Sequence, residues 1–474
     1  MFANLIDGQW RESEKVTENR NPSDTSDLVG SYAQGTAKDA RDALHAARRA
    51  FAEWQFSTPQ QRFDILDAVG TRILERKEEL GDLLSREEGK TLPEGIGEAA
   101  RAGAIFKFFA GEALRVGGEI LPSVRPGVKV EVTREPLGVV SLITPWNFPI
   151  AIPAWKVAPA LAYGNCVILK PAEDAPGCAH ALAEILVDCG IPDGVFNLVM
   201  GKGSIIGPEL CNDSDAVSFT GSVGVGAQVR AAASAAGARV QLEMGGKNPL
   251  IVLDDADLDT AVNCALQGAF FSTGQRCTAS SRLIVTRGIH ERFSEALAPA
   301  VEGLRVGDAR HQDTQIGPLA SRAQFDKTME HIELGRKEGA KCIAGGDCVG
   351  DPNKGYFVRP TLFDETTPDM TMNKEEIFGP VASIIVVEDF EEALALGNAT
   401  EFGLTAGICT TSLKHAEEFK RRAKAGMTMV NLPTAGVDYH VPFGGTKASS
   451  YGPREQGSYA RDFYTIVKTS YQSA

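Results

Sequence analysis

The feature that most constrains the fold is an alternation of strand and helix patterns that begins near residue 138. Short apolar runs, such as CVILK at 166–170 and AVSFT at 216–220, are separated by helical stretches of about ten or more residues. Parallel strands need crossovers of about this length, and these are usually helices. The pattern therefore predicts an α/β fold with a doubly wound parallel sheet that binds its ligands at the carboxyl ends of the strands.

A second run of this kind starts at NPLIVLDDADLD (248–259) and continues to AGICTT (406–411). The glycine pair within LEMGGKNP, at 242–249, is predicted to be a hinge between two lobes. Upstream, residues 36–118 have apolar side chains at helical spacing. Near the end of the chain, DFYTIVKTSY (462–471) predicts a strand that lies outside both lobes and pairs with a partner subunit. A chain of 474 residues is long enough for two or three domains.

Charge and cysteine content exclude several classes of protein. The formal net charge of −14 argues against nucleic-acid or anionic-membrane binding, because phosphate binding needs clustered Lys and Arg. The nine cysteines are odd in number and form no C-x-x-C pair, so neither a metal site nor a disulfide framework is predicted. The first residues lack a signal-peptide pattern, and no stretch reaches about 18 apolar residues. We predict a cytoplasmic protein that does not bind membranes.

Cys277 is the candidate nucleophile. A free cysteine is commonly only a small buried hydrophobe. This one follows TGQR, where a helical pattern gives way to a strand, and the neighbouring cation Arg276 can favour the reactive thiolate.

Three further residues are candidate partners for the nucleophile. Glu243 and Glu376 are carboxylates in apolar, glycine-flanked contexts, and ordinary salt bridges are the alternative for each. Asn147 can donate a hydrogen bond to a developing oxyanion, although a turn-capping asparagine is the competing explanation.

The loop SFTGSVGVG (218–226) follows a strand and opens a helix, so its amides can meet a phosphate at the helix N-terminus. A glycine cluster of this kind is otherwise an ordinary turn. Lys170 and Glu173, at the end of another strand, can reach ribose hydroxyls, although a lysine at a strand end is more often solvated.

Together these stretches resemble the aldehyde dehydrogenase superfamily, in order and over essentially the whole chain. The motifs that carry the resemblance are PWNFP, ILKPAE, FTGS, LEMGGKNP, GQRC, EEIFGP and PFGGTK. The resemblance implies a Rossmann-type NAD(P)-binding domain, an α/β catalytic domain and a small β oligomerisation element that forms a homodimer or homotetramer. The implied ranges are 1–118 and 138–247 for the first, 248–443 for the second, and 119–137 with 450–474 for the third.

The resemblance also implies the catalytic roles. Cys277 attacks an aldehyde to give a thiohemiacetal, whose oxyanion is held by the Asn147 amide and the Cys277 backbone N–H. Hydride then leaves for the nicotinamide, and Glu243 activates the water that hydrolyses the resulting thioester.

The implied cofactor is NAD, with NADP possible. The carboxylate of Glu173 at the 2′-hydroxyl favours NAD, because it repels a 2′-phosphate, and Lys170 can offset that repulsion. The residues implied in cofactor binding are Lys170 and Glu173 at the adenosine ribose, Thr220, Gly221 and Ser222 at the pyrophosphate, Glu376 at the nicotinamide ribose, and Trp146 and Phe378 beside the cofactor.

For the aldehyde, the resemblance implies a tunnel with an apolar wall and nearby cations. The residues are Phe109, Phe148, Ile152 and Trp155 for the wall, and Arg276, Arg282 and His440 for the cations. A bidentate arginine is what a substrate carboxylate requires, although each arginine is otherwise a salt-bridge partner. Succinate-semialdehyde dehydrogenases typically carry an arginine in place of Trp155, which disfavours that substrate.

The stretch PIAIPAWKVAPALAYGN (149–165) is most similar to α-ketoglutarate-semialdehyde dehydrogenases. We therefore predict oxidation of 2,5-dioxopentanoate to 2-oxoglutarate. The alternatives are succinate or glutarate semialdehyde, sulfolactaldehyde, or a broad range of aldehydes. Glu243 argues against a CoA-acylating enzyme, because that branch of the family usually lacks the deacylating glutamate. A non-catalytic structural protein that retains the fold is the alternative of a different class.

One departure from the family pattern is Ser450, which replaces a glycine after PFGGTK.

Overall fold

The computed structural model describes residues 1–473, and within them twenty strands and fifteen α-helices. The first part of the chain contains β1 (Asn4–Ile6), β2 (Gln9–Arg11), β3 (Val16–Asn21), β4 (Asp24–Ala33), α1 (Ala37–Trp54), α2 (Pro59–Glu75), α3 (Lys77–Glu88), α4 (Leu92–Ala113), β5 (Glu119–Pro122) and β6 (Val128–Pro136). The next part contains β7 (Val139–Ile143), α5 (Ala151–Ala162), β8 (Cys166–Lys170), α6 (Gly177–Asp188), β9 (Phe196–Leu198), α7 (Gly203–Asn212), β10 (Ala216–Thr220), α8 (Val223–Ala235) and β11 (Arg239–Glu243).

The remainder of the chain contains the second lobe and the terminal strand. Its elements are β12 (Pro249–Val252), α9 (Leu258–Ala269), β13 (Arg282–Thr286), α10 (Arg287–Glu302), α11 (Arg322–Lys337), β14 (Lys341–Ala344), β15 (Thr361–Asp364), α12 (Thr371–Lys374), β16 (Val381–Val387), α13 (Phe390–Asn398), β17 (Thr405–Cys409), α14 (Leu413–Arg422), β18 (Met427–Val430), β19 (Ser450–Tyr451), α15 (Arg461–Tyr464) and β20 (Thr465–Ser473).

An eight-stranded sheet has the order β19-β11-β10-β7-β8-β9-β1-β2, in which β11, β10, β7, β8 and β9 are parallel. The parallel part of the sheet starts at β7, extends to β8 and β9 on one side, and returns to add β10 and β11 on the other. Strands β7 and β8 are buried along almost their whole length, as expected where helices cover both faces of a parallel sheet. The predicted doubly wound parallel sheet is confirmed.

A seven-stranded sheet forms the second lobe, with the order β14-β15-β16-β13-β12-β17-β18. All its neighbouring strands are parallel except the pair β14 and β15. Residues 244–248 connect the last parallel strand of the first sheet to β12. The predicted α/β fold is therefore confirmed in both lobes.

A small antiparallel sheet, β20-β6-β5, stands apart from the two large ones. Its central strand β6 pairs with β20 along nine residues, from Val128 with Ser473 to Pro136 with Thr465. The predicted terminal strand thus lies outside both lobes, whereas Ser450 and Tyr451 pair with β11 in the eight-stranded sheet. The small sheet and its connecting turn expose several large apolar side chains: Ile120, Leu121, Val124, Ile466, Val467 and Tyr471.

The predicted helical stretch at 36–118 folds into α1 to α4. A capping box between Thr36 and Asp39 begins α1, and Gly89, with φ of 93°, ends α3 in the left-handed conformation that favours glycine. Helix α4 packs against α2 and α5, and its charged side chains reach the site described below. No helix within residues 1–473 is both long and apolar enough to cross a membrane.

Candidate active site

The site lies where the chain turns from one side of the eight-stranded sheet to the other. Strand β7 continues to β8 in one direction, while its other neighbour is β10, so the carboxyl ends of β7 and β10 flank a topological switch point. The turn after β7 carries Trp146, Asn147 and Phe148, and the turn after β10 carries Gly221 and Ser222. This crevice is where a doubly wound sheet binds its ligand.

A strained turn leads to Cys277. Ser272 and Thr273 have φ of 50° and 56°, a left-handed conformation that is unfavourable for residues with a Cβ, above all for a β-branched one. Glu94 Oε1 accepts hydrogen bonds from the Ser272 amide (2.9 Å) and hydroxyl (2.8 Å), and Thr273 Oγ1 donates to Gly317 O at 3.0 Å. These bonds hold the turn and so fix the position of the nucleophile loop.

Two asparagine side chains anchor the backbone on either side of the thiol. Asn147 Nδ2 donates to Gln275 O at 3.0 Å, and Asn248 Nδ2 donates to Cys277 O at 2.7 Å. Asn147 is itself almost fully buried, and its backbone carbonyl accepts a hydrogen bond from the Lys90 side chain. The Asn147 amide is therefore held beside the nucleophile loop.

The Cys277 thiol is protonated near neutral pH. Burial, followed by the carboxylates of Glu376 and Glu243, raises the pKa of Cys277 to about 12, although the amides of Cys277 and Thr278 act in the opposite direction. The predicted effect of Arg276 on the thiolate does not offset this rise. The guanidinium is already paired with Glu94 at 3.1 Å, and burial outweighs its influence on the thiol.

Cys277 lies between two cavities. The first, the α4 cavity, has a volume of about 310 Å³ and is lined by Lys90, Glu94, Gly97, Glu98, Arg101, Phe148, Trp155, Ser272, Arg276, Cys277, Thr278, Gly436, Val437 and Phe443. The second, the switch-point cavity, has a volume of about 190 Å³ and is lined by Pro145, Trp146, Asn147, Ile152, Thr220, Gly221, Ser222, Met244, Gly245, Cys277, Gln324, Lys327, Glu376 and Phe378.

The switch-point cavity brings together most of the predicted cofactor residues. The rings of Trp146 and Phe378 lie 5.5 Å apart and nearly perpendicular. Glu376 Oε1 accepts a hydrogen bond from the Gly246 amide at 2.9 Å, and burial raises the pKa of this carboxyl. Thr220 Oγ1 is buried and has no hydrogen-bond partner among residues 1–473. The cavity thus offers a carboxylate, an unsatisfied hydroxyl and two aromatic rings to a ligand.

Two residues of α11 that sequence reasoning missed support this wall. Gln324 Nε2 donates to the carbonyls of Ile377 (2.9 Å) and Phe378 (2.8 Å), and Lys327 Nζ donates to Glu376 O at 2.7 Å. They hold the turn in which Phe378 adopts a φ of 62°. Their sequence context is that of an ordinary amphipathic helix and gives no signal of this role.

Lys170 and Glu173 lie at the end of β8 and line neither cavity. Lys170 Nζ donates to Pro171 O at 2.8 Å, and burial lowers the pKa of this amine. Glu173 Oε1 accepts a hydrogen bond from the amide of Gly203, the first residue of α7, at 3.3 Å. Because β8 is the immediate neighbour of β7, the pair lies on the same edge of the sheet as the switch point.

Glu243 ends β11 and is only 2% exposed. Its Oε2 accepts a hydrogen bond from Ser450 Oγ at 2.6 Å, and it lines neither of the two cavities. Burial raises the pKa of Glu243 well above its usual value, and the nearby Glu455 raises it further. Glu455 forms a buried ion pair with Lys156.

Three cations line the α4 cavity, and two of them are paired. Lys90 lies 2.7 Å from Glu98 and 3.6 Å from the centre of the Phe148 ring, while Arg276 is paired with Glu94. Arg101 has no ion pair within residues 1–473. Its Nη2 donates to Gln456 Oε1 at 3.2 Å, and its buried Nε has no partner in the same range. Arg101 therefore brings a positive charge to this cavity without a direct ion-pair partner in the described chain, although the carboxylates of Glu98 and Asp438 act on it from a longer distance.

Of the predicted substrate residues, Phe148, Trp155 and Arg276 line the α4 cavity, whereas Ile152 lines the switch-point cavity. The other three predicted residues line neither cavity. Phe109 is fully buried in the core of the first lobe, Arg282 begins a fully buried strand and donates to Leu396 O at 3.0 Å, and His440 is exposed with its ring beside Tyr439.

Sequence reasoning also missed four residues on one face of α4. Glu94, Gly97, Glu98 and Arg101 follow each other at spacings of three, one and three, which places them on the same side of the helix. The signal available in the sequence was the presence of charged residues on an otherwise apolar helix.

The comparisons with known proteins agree with this geometry. A model of the aldehyde dehydrogenase family matches residues 10–470. The α-ketoglutaric semialdehyde dehydrogenase of Bacillus subtilis is 45% identical over 99% of this chain and 97% of its own length. The 2,5-dioxopentanoate dehydrogenase of Saccharolobus solfataricus is 42% identical over 95% of each protein. The crystal structure of betaine aldehyde dehydrogenase from Staphylococcus aureus in complex with NAD+ is 33% identical, with a TM-score of 0.97 over 100% of this chain and 95% of that one. The chain thus belongs to the aldehyde dehydrogenase family.

Proposed function

We propose that the protein oxidises 2,5-dioxopentanoate to 2-oxoglutarate, with NAD as the preferred hydride acceptor and NADP as the alternative. The proposal combines membership of the family with the contents of the two cavities beside Cys277. Relatives at 42–45% identity are named for this aldehyde, and a structural relative holds NAD+.

The switch-point cavity fits the nicotinamide cofactor. Thr220 Oγ1 offers a free hydrogen-bonding group, Glu376 can accept from ribose hydroxyls, and the rings of Trp146 and Phe378 flank the space. When bound there, the dinucleotide accepts a hydride from the reacting carbon. At Gly245 a Cβ would lie 2.1 Å from Glu376 Oε2, so glycine is required for the carboxylate to occupy its position.

Cys277, Asn147 and Glu243 carry out the remaining steps of the reaction. Cys277 gives its proton to solvent water and its sulfur bonds to the aldehyde carbon, while the Asn147 amide stabilises the oxyanion that forms. After hydride departure the carbon is held as a thioester. Glu243 then takes a proton from a water molecule that adds to this carbon, and the C–S bond breaks to return the sulfur to Cys277.

The observation that carries the choice of substrate is Arg101. The aldehyde and carboxylate of 2,5-dioxopentanoate are at opposite ends of the molecule, so an aldehyde at Cys277 directs the carboxylate along the α4 cavity. Arg101 is the cation of this wall without a carboxylate partner in the described chain, and an arginine can bind a carboxylate through two parallel hydrogen bonds. The cavity has three cations against the two carboxylates of Glu94 and Glu98, which disfavours a cationic aldehyde.

Steady-state kinetics test the proposal. We would compare 2,5-dioxopentanoate, succinate semialdehyde and pentanal with the wild type, Arg101→Met and the control Arg115→Met, an exposed arginine just beyond α4. We expect the highest kcat/KM for the dioxo acid, and a loss of about 10- to 100-fold for both acidic aldehydes in Arg101→Met, as for a lost charged hydrogen bond.

The kcat/KM for pentanal should change by less than about threefold in Arg101→Met, because pentanal has no carboxylate that could bind the arginine. Arg115→Met should match the wild type. An equal loss for all three aldehydes would contradict the role of Arg101. Faster turnover of succinate semialdehyde would move the proposal to the shorter acid, and faster turnover of pentanal would remove the acidic substrate.

We also propose that the small sheet joins subunits into a homodimer or homotetramer. Its exposed apolar side chains are unusual for a surface that faces only water. Light scattering coupled to size exclusion should give a dimer or tetramer for the wild type and smaller species for Val467→Glu. A monomeric wild type would contradict this assembly.

A further inference from the structure

Ser450 and Glu243 face each other across a strand pair. The two residues are directly opposed in the register between β19 and β11, so their side chains lie on the same side of the sheet. Ser450 Oγ lies 2.6 Å from Glu243 Oε2. A glycine at position 450 could not make this bond.

A third group also takes part in this contact. The amide of Gly445 donates to Ser450 Oγ at 2.6 Å, so the hydroxyl oxygen is already used as an acceptor. Its single hydrogen is then directed to Glu243, whose ionised carboxylate is an acceptor only. These two linked hydrogen bonds, from the Gly445 amide to Ser450 Oγ and from Ser450 Oγ to Glu243, therefore favour the charged form of Glu243 and one orientation of its carboxylate.

We propose that Ser450 is a positioning residue that fixes the orientation and charged state of Glu243, and thereby controls the release of the acyl group from Cys277. This inference rests on the proposed function, in which Glu243 takes a proton from the water that attacks the thioester. The water oxygen bonds to the carbonyl carbon, its proton goes to Glu243, and the C–S electron pair returns to sulfur, so the step needs no oxidant or reductant.

The surroundings of Glu243 set the sign of the expected change. Burial and Glu455 raise the pKa of Glu243, whereas the Ser450 hydrogen bond, Lys156 and Arg454 lower it. The Cys277 thiol, whose own pKa Glu243 raises, is uncharged near neutral pH. Removing the hydroxyl leaves the raising influences in place, so the pKa of Glu243 rises further. Because hydrolysis needs the carboxylate, activity that is lost as the pH falls should be lost at a higher pH.

The test compares Ser450→Ala, Ser450→Gly and Ser450→Thr with the wild type, and uses Tyr451→Phe as a control that removes a neighbouring exposed hydroxyl. Stopped-flow absorbance would separate the first turnover of NADH formation from the steady state between pH 5 and 9.

In the Ala and Gly variants we expect the first-turnover rate to stay within about threefold of the wild-type rate. The acid limb of the steady-state rate should move up by about one pH unit. Ser450→Thr and Tyr451→Phe should keep the wild-type profile.

A second measurement does not depend on turnover. Infrared difference spectra recorded across the same pH range would follow the carboxyl band of Glu243, assigned by its loss in Glu243→Gln. The band should titrate at higher pH in Ser450→Ala and Ser450→Gly than in the wild type.

An unchanged titration in folded Ala and Gly variants would overturn the inference, and so would an equal loss of first-turnover and steady-state rates. Absence of Cys277-dependent aldehyde oxidation in the wild type would instead reject the proposed function, and the infrared titration would still decide the role of Ser450.

Discussion

The two cavities beside Cys277 are built in different ways. The switch-point cavity is made largely of short turns at the ends of β7 and β10, together with Gly245 and the turn around Glu376. The α4 cavity is made of side chains from α4, α5, the nucleophile loop and residues 436–443. The first is therefore encoded in a few contiguous motifs, whereas the second depends on how distant segments pack. A cofactor common to many relatives suits the first construction, and a variable substrate suits the second.

Cys277→Ala should have the largest effect on the reaction, because the thiol lies in the walls of both cavities. We expect aldehyde oxidation to fall by at least about 10⁴-fold, as for the loss of other enzymic nucleophiles. NAD binding should change by less than about threefold, since only a small side chain is removed. NADH absorbance and a fluorescence titration with NAD measure the two quantities, and residual oxidation above one-hundredth of the wild type would contradict the assignment.

Lys90→Met tests whether the α4 cavity is also a structural element. The change leaves the Glu98 carboxylate buried without its cation, which should lower the free energy of unfolding by about 3 kcal/mol. Urea unfolding measures this. Lys38→Met, which breaks the exposed pair with Asp42, is the matched control and should have little effect. Equal stability of the two variants would show that the buried pair does not support the wall.

Gly245→Ala tests whether the two cavities have separate functions. The added Cβ would lie 2.1 Å from Glu376 Oε2 and must displace that carboxylate, so the KM for NAD should rise by about 10- to 50-fold. The same change at Gly97 in the α4 cavity meets no atom within 4 Å and should alter the KM for NAD by less than twofold. If both variants raised the KM for NAD equally, the cavities would not be functionally distinct.

His440→Ala should have the smallest effect. The side chain is exposed and lines neither cavity, so kcat/KM for the aldehyde should stay within twofold of the wild type. A loss of tenfold or more would return His440 to the substrate site and weaken the description of the α4 cavity.

The sequence was a good guide to one cavity and a poor guide to the other. Trp146, Ser222, Glu376 and Phe378 belong to short contiguous motifs, and the family resemblance that these motifs carry assigned all four to the cofactor. The predicted lobes and terminal strand follow from the local patterns of strand and helix.

The substrate wall could not be found in this way. Arg101 sits on a helix whose basic residues look like ordinary surface charges until the packing of α4 against α5 is known. Arg282 was selected because it is near Cys277 in sequence, but it lies at the start of a buried strand of the other sheet. The hydrogen bond between Ser450 and Glu243 joins residues 207 positions apart and required the pairing of β19 with β11.

The crowding of functions on α4 limits how this enzyme can be re-engineered. Glu98 accepts hydrogen bonds from the amides of Ile150 and Ala151 at the start of α5 and also holds Lys90, while Glu94 holds the strained turn before Cys277. Both are within two turns of Arg101. Libraries that randomise this helix to obtain new substrates should therefore yield mostly unfolded variants unless Glu94 and Glu98 are kept. The productive search is confined to Gly97, Arg101 and the facing segment at 436–437, which is a small space for directed evolution.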